Sequence, residues 1–141
     1  MGDFSFITFS GREVNLAEIK PEEISINDIS AGLSKICRFS GQINRFYSVA
    51  QHSVILSKIV PERLKKVALL HDASEAYIQD IIKPLKNLLG ESYTSIERKF
   101  EEAIFERFAL DIAMLPEIKP YERFLYEQEC KCFRNGNDED W

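Results

Sequence analysis

The chain has 141 residues, 45% of them hydrophobic and 29% charged. That balance fits one soluble globular domain with one core, and no apolar run is long enough to span a bilayer. Net charge is -5, with 18 basic and 23 acidic residues, which argues against duplex nucleic acid as a partner but allows a small phosphorylated ligand held by a few local cations.

The start, MGDFSFITFS, lacks the basic segment and apolar block of a signal peptide, so a cytoplasmic protein is expected. FSFITFSGREVNL alternates apolar and polar residues around Ser10-Gly11, which predicts a short hairpin. AEIKPEEISIND reads as a polar connector. Ser25 or Asn27 then caps a helix expected to run to about Phe39. SGQINRFY breaks the pattern and is expected as a loop.

From Val49 onward the period is helical. VAQHSVILSKIV places His52, Ile55, Leu56 and Ile59 on one face. Pro61 opens a helix carrying Leu64, Val67, Ala68, Leu69, Leu70 and Ala73, apolar nearly all round in its middle and therefore expected to be central. Pro84 starts a short helix ended by Gly90. TSIERKFEEAIFERFAL sets Ile96, Phe100, Ala103, Ile104 and Phe108 on one face. A last helix, from about Glu117 to Phe133, puts Ile118, Leu125 and Cys132 beside Glu122 and Glu129. The expected fold is all-α, a compact bundle of about six helices with a small N-terminal β-hairpin. It forms a single domain over 1–141: hairpin and connector 1–24, helical core 25–134, acidic tail 135–141. The three cysteines, Cys37, Cys130 and Cys132, are expected as free thiols. C-x-C lacks the partners that complete a zinc site.

The stretch VALLHDASEAYIQD ends one of the most apolar helices with His71, Asp72, Glu75 and Asp80. Buried charge needs a compensating cation, partner or water-filled site. His52 and His71 are the only histidines, and Asp72 adjoins the second. Imidazole and carboxylate from two neighbouring helices are good ligands for a divalent transition metal. The plain alternative is a pair of satisfied core histidines and a solvated helix end. Glu75, four residues after His71, projects on nearly the same face and can act as general acid or base. Asp80 can steer the water or the leaving oxygen.

With YSVAQHS and ALLHDASEAYIQD, the sequence resembles the HD-domain metal-dependent phosphohydrolases. ICRFSGQINRFYSV and DIIKPLKNLL extend the likeness to compact phage and bacterial members, the group of 5'-deoxynucleotidases and phage dATP triphosphohydrolases. The resemblance implies a helical fold around one divalent ion (Mn, Co, Zn, Ni or Fe), with His52, His71 and Asp72 as ligands. Glu122, in IKPYERFLYEQE, stands where the family has a ligating aspartate. Glu75 and Asp80 match catalytic carboxylates, and Arg38 matches an arginine beside the phosphate. Lys83 follows as a looser substrate-binding match. Arg45 and Lys86 are expected on the surface. The implied activity is hydrolysis of a deoxynucleotide, mono- or triphosphate, by a homo-oligomer. Two alternatives remain: a degenerate site that binds a nucleotide or partner without turnover, and a hydrolase of a cyclic dinucleotide or alarmone.

Overall fold

A computed structural model describes residues 1–134; the acidic tail expected at 135–141 lies outside the described residues. Strands β1 (Ser5–Ile7) and β2 (Glu13–Asn15) pair antiparallel with Phe6 opposite Val14. Gly11, at φ 86°, turns the chain between them. The hairpin is stitched to the bundle from both sides. Val14 is fully buried, and Asp28 accepts from the Ser10 amide at 2.7 Å and the Ser10 hydroxyl at 3.0 Å.

Helix α1 (Ile26–Leu33) is capped by Ser25, whose hydroxyl accepts from the Asn27 amide. It stops at Leu33 instead of continuing to Phe39. The cause is a long-range pairing that a local pattern does not contain. The Arg38 amide donates to the Tyr47 carbonyl and the Val49 amide to the Ile36 carbonyl, so Cys37 bridges to Ser48. Residues 36–38 are thereby drawn into extended backbone. The loop so closed carries Phe39 and Ser40 in the left-handed region, at φ 57° and 53°.

Helix α2 (Val49–Ile59) begins with a reciprocal cap, in which Ser48 and Gln51 each accept from the other's amide. After a single 3₁₀ turn, Glu62–Leu64, comes α3 (Lys65–Leu70), then α4 (Glu75–Ile78). The sequence predicts one helix here. The structure interrupts it at residues 71–74. His71 Nδ1 takes the Ala68 carbonyl at 2.6 Å, the acceptor that the next helical amide would use. The following amides of Ala73, Glu75, Ala76 and Tyr77 close tighter i−3 turns instead. Counting α3 and α4 as one interrupted helix gives six helices among the described residues, in line with the expectation of about six.

Helix α5 (Lys83–Leu89) has Pro84 in its first turn and ends at Gly90, φ 62°, as the sequence predicts. Helix α6 (Glu91–Arg107) buries Phe100, Ala103, Ile104 and Phe105. A 3₁₀ segment, Ile112–Ile118, leads into α7 (Lys119–Phe133), which buries Leu125, Glu129, Cys132 and Phe133. The main core joins Val14, Ile29, Leu56, Val67, Phe100 and Ile104, and a small second cluster holds Tyr47, Cys132 and Phe133. Gly32 lets α1 approach α4: a Cβ there would lie 2.9 Å from the Ala76 Cβ. Tyr77 stacks on Phe100 with ring centroids 5.3 Å apart and accepts from the Ser25 amide. Together these contacts fix α4. Among the described residues, no helix is long and apolar enough to cross a membrane. The cysteines are free thiols.

Candidate metal centre

His52 sits on the inner face of α2, while His71 and Asp72 lie in the turn between α3 and α4. Both histidines are buried, at 3% and 6% exposure. One ligand atom from each of the three residues falls within 4.8 Å of the others. His71 Nε2 is 2.9 Å from Asp72 Oδ2, and His52 Nε2 is 3.7 Å from the same oxygen. The side chains of two neighbours in sequence, His71 and Asp72, thus meet at one oxygen together with His52 from α2.

The hydrogen bonds fix which nitrogen of each ring faces the centre. His71 Nδ1 faces a carbonyl, which can only accept, so this nitrogen carries the hydrogen. His52 Nδ1 lies 2.7 Å from Glu129 Oε2, and the carboxylate accepts in the same way. In the neutral rings both Nε2 lone pairs then point at Asp72. His71 Nε2 is buried with no hydrogen-bond partner, and Glu122 Oε1 approaches it at 3.2 Å. Electron-rich atoms packed this closely require a proton or a cation between them. Two imidazoles and a carboxylate are the donor set of a divalent transition metal, so the residues fit such an ion.

Without an ion the groups compensate one another. Burial alone would lower the His71 pKa, but Asp72, Glu122 and the Ala68 carbonyl outweigh it and raise the value. Burial pushes Asp72 up, yet His71, His52 and Arg38 hold it well below the ordinary range. Glu75 on α4 is 6% exposed, and its Oε1 has no partner. Burial, then the charges of Asp72 and Asp80, push its pKa well up. Asp80 is also raised, chiefly by burial.

A cleft of about 890 Å³ opens onto this centre. Its wall includes His52, Asp72, Glu75, Asp80, Glu122, Arg38 and Lys83, so seven of the eight residues singled out from the sequence face one space. His71 lies behind Asp72 and faces a smaller cavity of about 270 Å³. Six cations line the cleft (Arg38, Lys83, Lys86, Lys119, Arg123, Arg134) against four carboxylates. Arg38, Lys86 and Lys119 are paired with Glu129, Glu97 and Glu122, so Lys83, Arg123 and Arg134 are the cations that an entering anion would meet first. Lys86, expected on the surface, is half-buried in this wall and donates to Glu97 at 2.9 Å. Arg45 instead lies over Phe133, away from the cleft. Glu122 joins the centre from the side, through His71, and its other oxygen meets Lys119 at 3.3 Å.

Arg38 does not point freely into the cleft. Its Nη2 donates to Glu129 Oε1 at 2.8 Å. Glu129, fully buried on α7, is the residue to which the sequence reading gave no role. Its pKa is pushed up by burial, then pulled below its ordinary value by His52, Arg38 and Tyr47. Its trace in the sequence is a carboxylate on a face otherwise made of Leu125 and Cys132.

No family model matches the chain. It is 47% identical to the uncharacterized protein YfdR of Escherichia coli (strain K12) over 116 residues, which are 82% of this chain and 65% of that protein. It is 36% identical to an uncharacterized protein of Rhodobacter capsulatus over 116 residues, 76% of this chain and 59% of that protein. The chain therefore spans less than two thirds of the length of these curated relatives.

Proposed function

We propose that the chain is an HD-domain metal-dependent phosphohydrolase acting on a nucleotide, as a 5'-nucleotidase or a nucleoside triphosphate triphosphohydrolase. The observation that carries this reading is the convergence of His52, His71 and Asp72 beside a cation-lined cleft. These three residues, with Glu122 at the side, would hold a divalent ion such as Mn, Co, Zn, Ni or Fe. When bound, such an ion supplies Lewis acidity at a phosphate oxygen and lowers the pKa of water.

The chain's own groups do the remaining tasks. Arg38, Lys83 and Lys86 offset charge on the phosphoryl oxygens. Glu75 and Asp80 orient the attacking water and hold the proton that the leaving oxygen needs. The water oxygen forms a new bond to phosphorus as the bond to the nucleoside oxygen breaks. A monophosphate would release phosphate, and a triphosphate would release tripolyphosphate.

The test is a panel of nucleotide mono- and triphosphates with manganese, cobalt or zinc, resolved by product. Metal-dependent release of nucleoside with phosphate or tripolyphosphate is expected. Binding of metal and nucleotide with no turnover in any arm would make the protein a binding module. Turnover confined to a cyclic dinucleotide or an alarmone would replace the substrate class.

A further inference from the structure

Glu129 is a glutamate at 0% exposure on the buried face of α7, with Leu125, Cys132 and Phe133. Stability does not ask for it there: well-packed apolar residues often replace buried ionic groups at no cost. Each of its oxygens holds a residue of the cleft wall. Oε2 meets His52 Nδ1 at 2.7 Å, and Oε1 accepts from Arg38 Nη2 at 2.8 Å. One side chain from α7 thereby orients a ring on α2 and a guanidinium in the 36–38 segment.

We propose that Glu129 is a positioning residue: it fixes His52 in the Nδ1–H tautomer, so that Nε2 presents its lone pair to the centre, and it holds Arg38 on the same wall. His71 receives the same orientation from a backbone carbonyl, which no side-chain substitution removes. The two imidazoles of the centre are therefore fixed by different means, and only one is open to mutation. The tautomer claim stands on geometry alone; its consequence for affinity rests on the metal reading.

Glu129→Gln separates a positioning role from a packing role. Arg38 can only donate, and a charged donor competes best for the one remaining oxygen. The amide nitrogen then faces His52 Nδ1 and turns that ring to the Nε2–H form.

The experiment uses ¹⁵N imidazole spectra of the metal-free chain at about pH 9, above the ordinary imidazole range. Two histidines make the assignment simple. In the parent, both rings should show Nδ1–H. In Glu129→Gln, His52 should shift toward Nε2–H while His71 stays unchanged, and metal affinity should fall about 10–100-fold, the usual effect of losing such a partner. An Nε2–H form of His52 in the parent overturns the proposal even if the variant fails to fold. So does a variant whose His52 keeps the parent's tautomer. If neither protein binds metal, the metal reading fails, while the tautomers still decide the role of Glu129.

Discussion

Helices α6 and α7 are made of similar materials. They have 17 and 15 residues, and both carry charge along most of their length with one apolar face. Yet α6 buries only Phe100, Ala103, Ile104 and Phe105, whereas α7 buries Glu129 beside Leu125, Cys132 and Phe133. The same helix also lines the cleft with Glu122, Arg123 and Tyr126. A buried carboxylate carries a desolvation penalty of several kcal/mol, offset only by good partners. Glu129 has such partners in His52 and Arg38. The difference separates a helix whose buried face is wholly apolar from one whose buried face also carries a carboxylate that holds His52 and Arg38.

The largest effects should come from breaking the centre itself. His71→Ala or Asp72→Ala should reduce metal content from about one ion per chain, as the ligand set implies, to near none. Turnover should vanish, along with the added thermal stability that metal gives the parent. On the α6 side, Phe100→Ala should cost about 3–5 kcal/mol of stability while leaving the metal content of the folded fraction unchanged. Metal analysis and melting curves on these variants check the contrast. If Phe100→Ala loses metal, or Asp72→Ala keeps it, the division between the two regions fails.

Glu75→Ala should come next. It should retain the ion and lose about 10²–10⁴-fold in turnover, the usual contribution of a general acid or base. Loss of the ion, with activity recovered at excess metal, would make Glu75 a ligand instead.

Stability against pH gives a smaller effect of defined sign. In the metal-free chain, the folded-state values of His71 and Glu75 lie above their ordinary 6.5 and 4.5. A raised folded value means that the stabilising contribution is complete below the ordinary value and is lost as pH rises through the folded one. Asp72, held below its ordinary 3.8, contributes above that value and loses its contribution only in acid. The metal-free protein should therefore melt lower at about pH 8 than at about pH 6. A saturating divalent ion should abolish or reverse that fall, because ligation needs a neutral imidazole. Melting points that do not respond to pH without metal would contradict this account of the site.

The smallest effect is expected at Glu122, which reaches the centre from the side. Glu122→Asp should lower metal affinity modestly, since the shorter chain falls short, and Glu122→Gln more, since it removes the charge. Titration of metal into the parent and both variants checks this. Three equal affinities would remove Glu122 from the centre.

The sequence disclosed what short-range patterns can carry. The stripe on α2 placed His52 inward, Pro84 and Gly90 bounded α5, and Leu125 and Cys132 marked the inner face of α7. What it hid depends on contacts across the fold. Helix α1 ends early because Cys37 pairs with Ser48, and neither partner shows this locally. The break after Leu70 arises from the His71 ring taking a backbone acceptor, which hydrophobic periodicity does not register. Glu129 looked like one charge among many on α7. Its meaning depends on α2 and the 36–38 segment arriving at the same point. Lys86 likewise gained its place only when α5 folded beside the cleft.

On the proposed reading, His52, His71 and Asp72 hold one divalent ion. Crystals grown with manganese, cobalt or zinc, with anomalous diffraction at the metal's absorption edge, test it most directly. The expected result is a single peak about 2.0–2.2 Å from His52 Nε2, His71 Nε2 and an Asp72 oxygen, the range for zinc with nitrogen and oxygen ligands. A peak bound elsewhere, or no peak in metal-saturated crystals, would contradict it.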